Sequence, residues 1–330
     1  MVIYILKRLI QAVITLFIIS VLTFGISRAL PGDPLASYFD TSVTRGMSPD
    51  EVKEYREELR EMHGLDDSYV DQYISWLDTT FIERDLGYSL SKKRPSSQVI
   101  GEALKNTIYL GGATFIFTFI VSVPLGIIAA VKKGTIIDDF IKIFTILGIS
   151  LPSFVIGILL IYIFAGILGI LPFSGMTEVG LNPEDGLEFY MSLGKHMILP
   201  MLTLGIPSIA YQVRYVRNAM LDCLSQDYIR TARSKGVSGS KIVMSHAFRN
   251  ALGTVATLVV LSLPTVFNSG IITESIFGWP GLGSELLSAV TSRDNAIMLN
   301  IVMFYAFIAV MATILADIVL AIVDPRVKLR

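Results

Sequence analysis

Between Asp227 and Leu252 the chain reads DYIRTARSKGVSGSKIVMSHAFRNAL, a basic stretch set between two long apolar runs. Arg230, Arg233 and Lys235 would line a polar side, while Ile229, Ala232 and Val237 offer apolar contacts at helical spacing. Gly236 and Gly239 break the helix and mark a turn. No nucleophile-elbow or metal-ligand pattern accompanies these residues. They suit recognition, and two surfaces fit them: anionic lipid headgroups, or a groove on a soluble partner into which a short helix inserts.

The rest of the chain offers no engine. No G-x-x-x-x-G-K-[ST] loop is present to cradle nucleotide phosphates, and no H-E-x-x-H is present to hold zinc. His63, His196 and His246 are far apart in sequence. Cys223 is the sole cysteine, which excludes a disulfide framework and a thiolate cluster. No serine stands in a nucleophile elbow. An enzyme is therefore not expected, nor a cofactor. Glu274 and Asp317 fall near the ends of apolar runs, where an acid is a functional candidate by default. Solvation at the interface, or pairing with a neighbouring span, is the simpler account of both. Snorkelling toward headgroups accounts for Arg214 and Arg217.

The elements that position the basic stretch are membrane spans. Of the 330 residues 52% are hydrophobic, with a mean hydropathy of +0.62 and a net charge of −1. That balance points to a bilayer and not to nucleic acid. Six runs are long enough to cross about 30 Å of hydrocarbon as helix. They are 9–30, 107–131, 140–168, 197–216, 252–272 and 296–323. The predicted class is all-α and polytopic, with six transmembrane helices and a helical external loop domain. Residues 1–30 form the N-terminal segment and first span, 31–105 the external domain, and 106–330 a five-helix core with a cytoplasmic loop at about 218–250. Lys7, Arg8, Lys132, Lys133, Lys142, Arg214, Arg217 and the basic stretch share one side, against Lys195 and Arg293 in the short loops of the other. The positive-inside rule then places both termini in the cytoplasm. The first run lacks a clear cleavage site and is predicted to stay as an uncleaved span.

Within the external segment, Ser48-Pro49-Asp50-Glu51 is a helix start with Ser as cap, Pro in the first turn and Glu three residues on. Val52, Tyr55, Leu59 and Met62 continue the period, and Gly64 can end it. A second helix is expected around 69–81, with Tyr73, Trp76 and Leu77 near one face. Pro124, Pro152, Pro200, Pro207 and Pro264 fall within spans, as packing kinks or as bending points of a pore.

Taken in order, these pieces resemble the permease subunits of bacterial dipeptide, oligopeptide and nickel importers of the ATP-binding-cassette class. The resemblance runs through PGDP at 31–34, QYISW at 72–76, DLGYS at 85–89, LPSF at 151–154 and HMILPMLTLGIP at 196–207. It continues through DYIRTARSKG at 227–236, HAFRNAL at 246–252, ESIFGWPGLG at 274–283 and DPR at 324–326. The general importer loop motif begins Glu-Ala-Ala and places Gly four residues after the second Ala. Here those positions read Arg230, Thr231, Ala232 and Gly236, so only Ala232 and Gly236 hold, as in the peptide branch.

The resemblance implies the transmembrane-domain fold of a type I importer. It also implies a second homologous permease subunit, two cytoplasmic ATPase subunits, and an extracytoplasmic substrate-binding protein that delivers a di- or oligopeptide. It assigns the ATPase contact to Tyr228, Ile229, Ala232, Arg233, Lys235, Gly236, Val237 and Ser238, and places the chain in the prokaryotic inner membrane. A nickel or other small-solute importer of the same family is the alternative within transport. A membrane anchor or receptor that recruits a cytoplasmic partner is the alternative outside it. An ion-coupled carrier is disfavoured, because the middles of the spans lack ionisable residues.

Single cysteines at Glu61 and Ser240, in a chain whose Cys223 is replaced by Ser, test the orientation. An impermeant thiol reagent on intact cells is expected to label position 61 and not 240. The reverse pattern would overturn the topology.

Overall fold

The computed structural model describes residues 2–323 apart from 32, 34, 36, 37, 40–43, 45 and 63, with side chains described for 6–319. His63, parts of the PGDP motif and the closing DPR motif lie outside the described residues. The chain divides into two compact units: Met1–Asn106 with Gly281–Val310, and Thr107–Pro280 with Met311–Arg330.

The first unit opens with α1 (Val2–Ala29), most of whose apolar side chains from Leu6 onward are exposed, as lipid contact requires, while Ser20, Phe24 and Ser27 are buried. Helix α2 (Pro49–Met62) begins as its sequence predicts. Ser48 N–H donates to Glu51 Oε2 at 2.7 Å, and Glu51 N–H donates to Ser48 Oγ at 3.3 Å. The Ser48 N–H, and after it the Ser48 hydroxyl, hold the Glu51 carboxyl below its ordinary pKa. Gly64 follows at φ +57°, a conformation that costs a residue with a Cβ. Helix α3 (Tyr69–Leu77) runs on as a π-turn to Ile82 and is capped by Ser68. Tyr73 and Trp76 on α3 pack on Phe24 of α1, with Trp76 also against Phe81. Tyr73 Oη lies 2.7 Å from Ser20 Oγ.

A two-residue hairpin, β1 (Tyr88–Ser89) with β2 (Arg94–Pro95), leads into α4 (Ser96–Val131). The hairpin is fastened by Asp294. Its carboxylate accepts from Ser89 Oγ at 2.5 Å, Ser91 N at 3.0 Å and Ser91 Oγ at 2.7 Å, and its Oδ1 accepts from Ile297 N at 3.2 Å. The unit's apolar core joins Val99, Ile100 and Ala103 to Leu282, Leu286, Ile297 and Ile301.

The second unit holds most of α4 and the elements α5 (Ile136–Ser150), α6 (Ser153–Leu160) and α7 (Leu187–Leu224). These are followed by α8 (Asp227–Ser234), α9 (Gly239–Lys241), α10 (Arg249–Ser262) and α11 (Ile271–Ile276). Beyond it, α12 (Leu282–Ser292) belongs to the first unit, and α13 (Asn295–Val323) begins there. Among the described residues five helices are long and apolar enough to span a membrane, Leu6–Ala29, Ser96–Val131, Leu187–Leu224, Gly239–Phe267 and Asn295–Val319, and a bent pair of helices makes a sixth if it counts as one span.

Two expectations are corrected. The run 140–168 is not one straight helix: α5 and α6, the latter prolonged by a π-turn to Ile167, meet at 105°. Pro152 is the cause. It lacks an N–H and drives Leu151 out of the helical region, to φ −85° and ψ 128°. The run 252–272 ends as a helix at Phe267, because Pro264 opens a 3₁₀ turn and Gly270, at φ +82°, starts α11 on a new course. Pro124, Pro200 and Pro207 sit inside unbroken helices.

Helix contacts in this unit are close. A Cβ on Gly111 would lie 2.2 Å from the Val266 carbonyl oxygen, whereas one on Gly112 would meet nothing within 4 Å. Gly111→Ala is therefore expected to cost about 1–3 kcal/mol through overpacking, and Gly112→Ala to be neutral or slightly stabilising. Thermal melts of the two variants in detergent check this; equal melting temperatures would refute the close approach.

Candidate functional site

The basic stretch is a short helix fixed beneath the ends of the spans. Helix α7 stops at Ser225, and α8 begins after Gln226. One face of α8 is inward: Ile229 is 1% exposed and Ala232 8% exposed. They join a cluster with Ala130 of α4, Val216 and Met220 of α7, Ile242, Ala247, and Ala251 and Val255 of α10. Burying Ile229 alone is worth about 1.5–3 kcal/mol.

The helix ends in a two-bond C-terminal cap. Val237 N–H donates to Ala232 O at 3.2 Å, and Gly236 N–H donates to Arg233 O at 3.0 Å. Gly236 sits at φ +73° with open space around it, so the conformation, and not crowding, demands glycine. Val237 packs on the same cluster as Ala232, which is the apolar contact this cap usually carries.

The sequence-predicted site residues thus separate by face. Tyr228, Arg233, Lys235, Gly236 and Ser238 are exposed; Ile229 and Ala232 point into the chain's own core, and Val237 is half-buried. Ala232, expected on the face toward a partner, is 8% exposed here, and its small size serves the packing of α8 on α4, α7 and α10. Arg230 and Thr231, on the exposed side, complete the outward surface. Tyr228 holds its phenol beside Cys223, and burial followed by that thiol raises the phenol's pKa. Arg233 faces a cavity of about 670 Å³ between α8, α9 and the end of α4, whose rim carries Lys132 and Lys133.

Above this helix lies an ion-pair network. Asp138, at 0% exposure, accepts from Arg217 Nε at 2.9 Å and Arg217 Nη2 at 3.1 Å. Lys142 Nζ lies 2.9 Å away, and Gly134 N–H donates at 2.9 Å. Arg217 is therefore not a snorkelling cation. It clamps the start of α5 to α7 with the bidentate geometry that guanidinium allows. Asp138 drew no notice in the sequence because an acid two residues before the apolar run 140–168 reads as a helix-start residue. Only the fold sets Arg217, 79 residues on, against it.

The same unit carries a neutral polar groove of about 470 Å³ along α4, α7 and α10, with Thr114, Ser208, Tyr211, Gln212, Thr265 and Asn268 on its walls. Beside it Gln212 Oε1 accepts from Ser122 Oγ at 2.7 Å. No charged side chain lines it. These residues are scattered over 150 positions and had no linear signature. Glu274 is fully buried; its Oε1 accepts from Thr107 Oγ1 of α4 at 2.9 Å and from Ser269 Oγ. Pairing with a neighbouring span, not solvation, is its state.

Comparison with known proteins decides what this arrangement belongs to. The chain matches the family of binding-protein-dependent transport system inner membrane components over 122–329, and that family's N-terminal region over 1–110. The chain belongs to this family. It is 33% identical over 326 residues to the oligopeptide transport system permease protein AppB of Bacillus subtilis (strain 168), covering 98% of this chain and 99% of that one. It is 33% identical over 341 residues to the dipeptide transport system permease protein DppB of Escherichia coli (strain K12), with 98% of each covered. A solved structure of the MetNI methionine ABC transporter, in an inward-facing conformation, matches 69% of this chain and 97% of its own at a TM-score of 0.51 and 16% identity. That likeness is one of fold. The multi-pass, type I importer transmembrane-domain fold expected from the sequence is the fold found, and the permease is no enzyme.

The two faces of α8 predict opposite outcomes for one substitution. Ala232→Asp would bury an unpaired charge in the permease's own core and is expected to cost several kcal/mol of stability. Gly236→Asp leaves the core intact and adds only the strain of a left-handed non-glycine residue, about 1–2 kcal/mol. Thermal melts of the isolated chain in detergent should show a large drop for the first and a small one for the second; equal melts would reject the inward assignment of Ala232.

Proposed function

We propose that the chain is a permease subunit of an ATP-driven peptide importer. It forms half of the translocation path with a second homologous permease, and two cytoplasmic ATPase subunits power it. A substrate-binding protein delivers di- or oligopeptides from the side of the 31–105 segment, and both termini lie in the cytoplasm. The observation that carries the coupling role is the two-faced α8: cemented inward by Ile229, Ala232 and Val237, and presenting Tyr228, Arg230, Thr231, Lys235, Gly236 and Ser238 outward. A helix held this way moves with α7 and α10 as one body. Force applied by an ATPase that binds its two states unequally reaches the spans directly.

End-to-end similarity to oligopeptide and dipeptide permeases supports the substrate class. The groove supports it independently. Its hydroxyls donate to carbonyls of their own helices and keep lone pairs that can accept from a peptide N–H, the Tyr211 phenol adds a donor, and the lack of fixed charge there avoids selecting for or against charged side chains.

Charge reversal on the outward face tests the coupling. Arg230→Glu with Lys235→Glu, and separately Gly236→Asp, are expected to leave membrane insertion and abundance normal. ATPase co-purification and peptide uptake should fall at least tenfold. Intact co-purification and uptake in all variants would reject the coupling role and return α8 to a lipid-surface helix.

A further inference from the structure

The first unit contains a cavity that nothing in peptide transport requires. It measures about 250 Å³ and is bounded by the end of α1, by α3, by the 85–90 turn and by 293–299. Four polar atoms on its walls are buried with no hydrogen-bond partner: Arg28 Nε, Trp76 Nε1, Arg293 Nη1 and Gln72 Oε1. Gln72 cannot rotate to relieve this, because its Nε2 already donates to Leu65 O and Asp67 O. Neither arginine has an ion-pair partner among the described residues. Three carboxylates, Asp67, Asp85 and Asp294, also line the cavity; Asp294 is committed to the hairpin and Asp85 Oδ1 accepts from Gly87 N–H. Arg293 is held in place at φ +61°, an uncommon conformation for a residue with a side chain. Three unsatisfied donors, two of them cationic, call for an anionic oxygen-rich group.

A second cavity adjoins the first. It is about 440 Å³ and apolar, running between α1, α3 and α13, with Phe17, Phe81, Ile100, Met303, Phe304 and Phe307 among its walls. Thr80 and Leu86 line both cavities. Depth along the helices puts the two in a telling order. On α1, Ser20 and Val13 of the apolar cavity lie about 12 and 22 Å below Arg28 at 1.5 Å per residue. On α13, Met303 and Phe307 lie about 10 and 17 Å below Ala296 by the same measure. One leaflet's hydrocarbon is about 15 Å thick, half of a bilayer core. A donor site at the end of α1 therefore sits above an apolar slot that reaches about 22 Å along α1, somewhat deeper than one leaflet.

We propose that this composite cavity is a binding site for one membrane phospholipid. Its phosphate is held by Arg28, Arg293 and Trp76, and one acyl chain lies in the slot between α1 and α13. The unsatisfied donors of Arg28, Arg293 and Trp76 beside an apolar slot commit the composite cavity to lipid and not to a protein helix, which would bring no oxygen-rich head group to those donors. The lipid would fasten α1, whose protein contacts in this unit are few beyond the Phe24, Tyr73 and Trp76 cluster. The site does not depend on the peptide or ATPase assignments.

Native mass spectrometry of the full-length chain, extracted in mild detergent and reloaded from vesicles of phosphatidylethanolamine, phosphatidylglycerol or phosphatidylcholine, tests this. The wild type is expected to retain one phospholipid per chain from each vesicle. Arg28→Gln with Arg293→Gln should lower retention about tenfold, the loss expected for charge-assisted hydrogen bonds. Met303→Trp, which fills the slot, should lower it similarly while leaving inorganic phosphate able to protect the chain thermally. Absence of retained lipid in the wild type overturns the proposal. So does retention unaffected by both variants, or by Met303→Trp alone, which would leave a free-oxyanion site without lipid. Retained lipid that is displaced when the chain joins a neighbouring subunit would show a protein occupant and equally overturn it.

Discussion

Close backbone approach to α7 is the constraint on which the second unit depends. Three elements reach this helix through glycine: Gly126 of α4 at Val216, Gly148 of α5 at Ala210, and Gly157 of α6 at Thr203. Gly205 on α7 itself receives Phe117 of α4. Lipid tails are as apolar as leucine, so spans gain little from hydrophobic burial against each other. They associate through van der Waals fit and a few polar contacts, which small residues permit. The Asp138–Arg217 clamp and the Gln212–Ser122 hydrogen bond add the directional contacts that fix rotation about α7.

The same spine explains why a helix as short as α8 can have a defined position. Eight residues have too little intrinsic helical stability to persist alone in water. Here α8 is ordered by its cap at Gly236 and by Ile229 and Ala232 seated on the ends of α4, α7 and α10. Its outward residues are thereby displayed on a fixed support. Under the proposed function that rigidity matters more than any single contact, since a frayed helix would absorb an ATPase's motion instead of passing it to α7.

The first unit solves a different problem. Its polar groups are arranged around Asp294, which satisfies the hairpin and the start of α13 together. Around the cavity, Arg28 Nε, Trp76 Nε1, Gln72 Oε1 and Arg293 Nη1 have no hydrogen-bond partner among the described residues. Unmet donors beside an apolar slot indicate an occupant supplied by the surroundings, and for a membrane protein the surroundings are lipid.

Much was determined by sequence alone. The polytopic class and the rough extent of most spans, the Ser48 cap, the end of α8 at Gly236 and the family itself were legible, because each rests on local pattern: apolar run length, capping residues, glycine placement and motif order. The bend at Pro152 was visible only as a residue that is tolerated elsewhere, at Pro124, Pro200 and Pro207; whether a proline kinks or breaks a helix depends on which neighbours satisfy the freed carbonyls. The tertiary structure alone decided that Ala232 faces inward, that Arg217 belongs to Asp138, that Glu274 is sealed against Thr107, and that Thr114, Tyr211, Gln212 and Asn268 share one groove. Each of these joins residues from separate elements, and periodicity shows that a helix has faces without showing what each face meets.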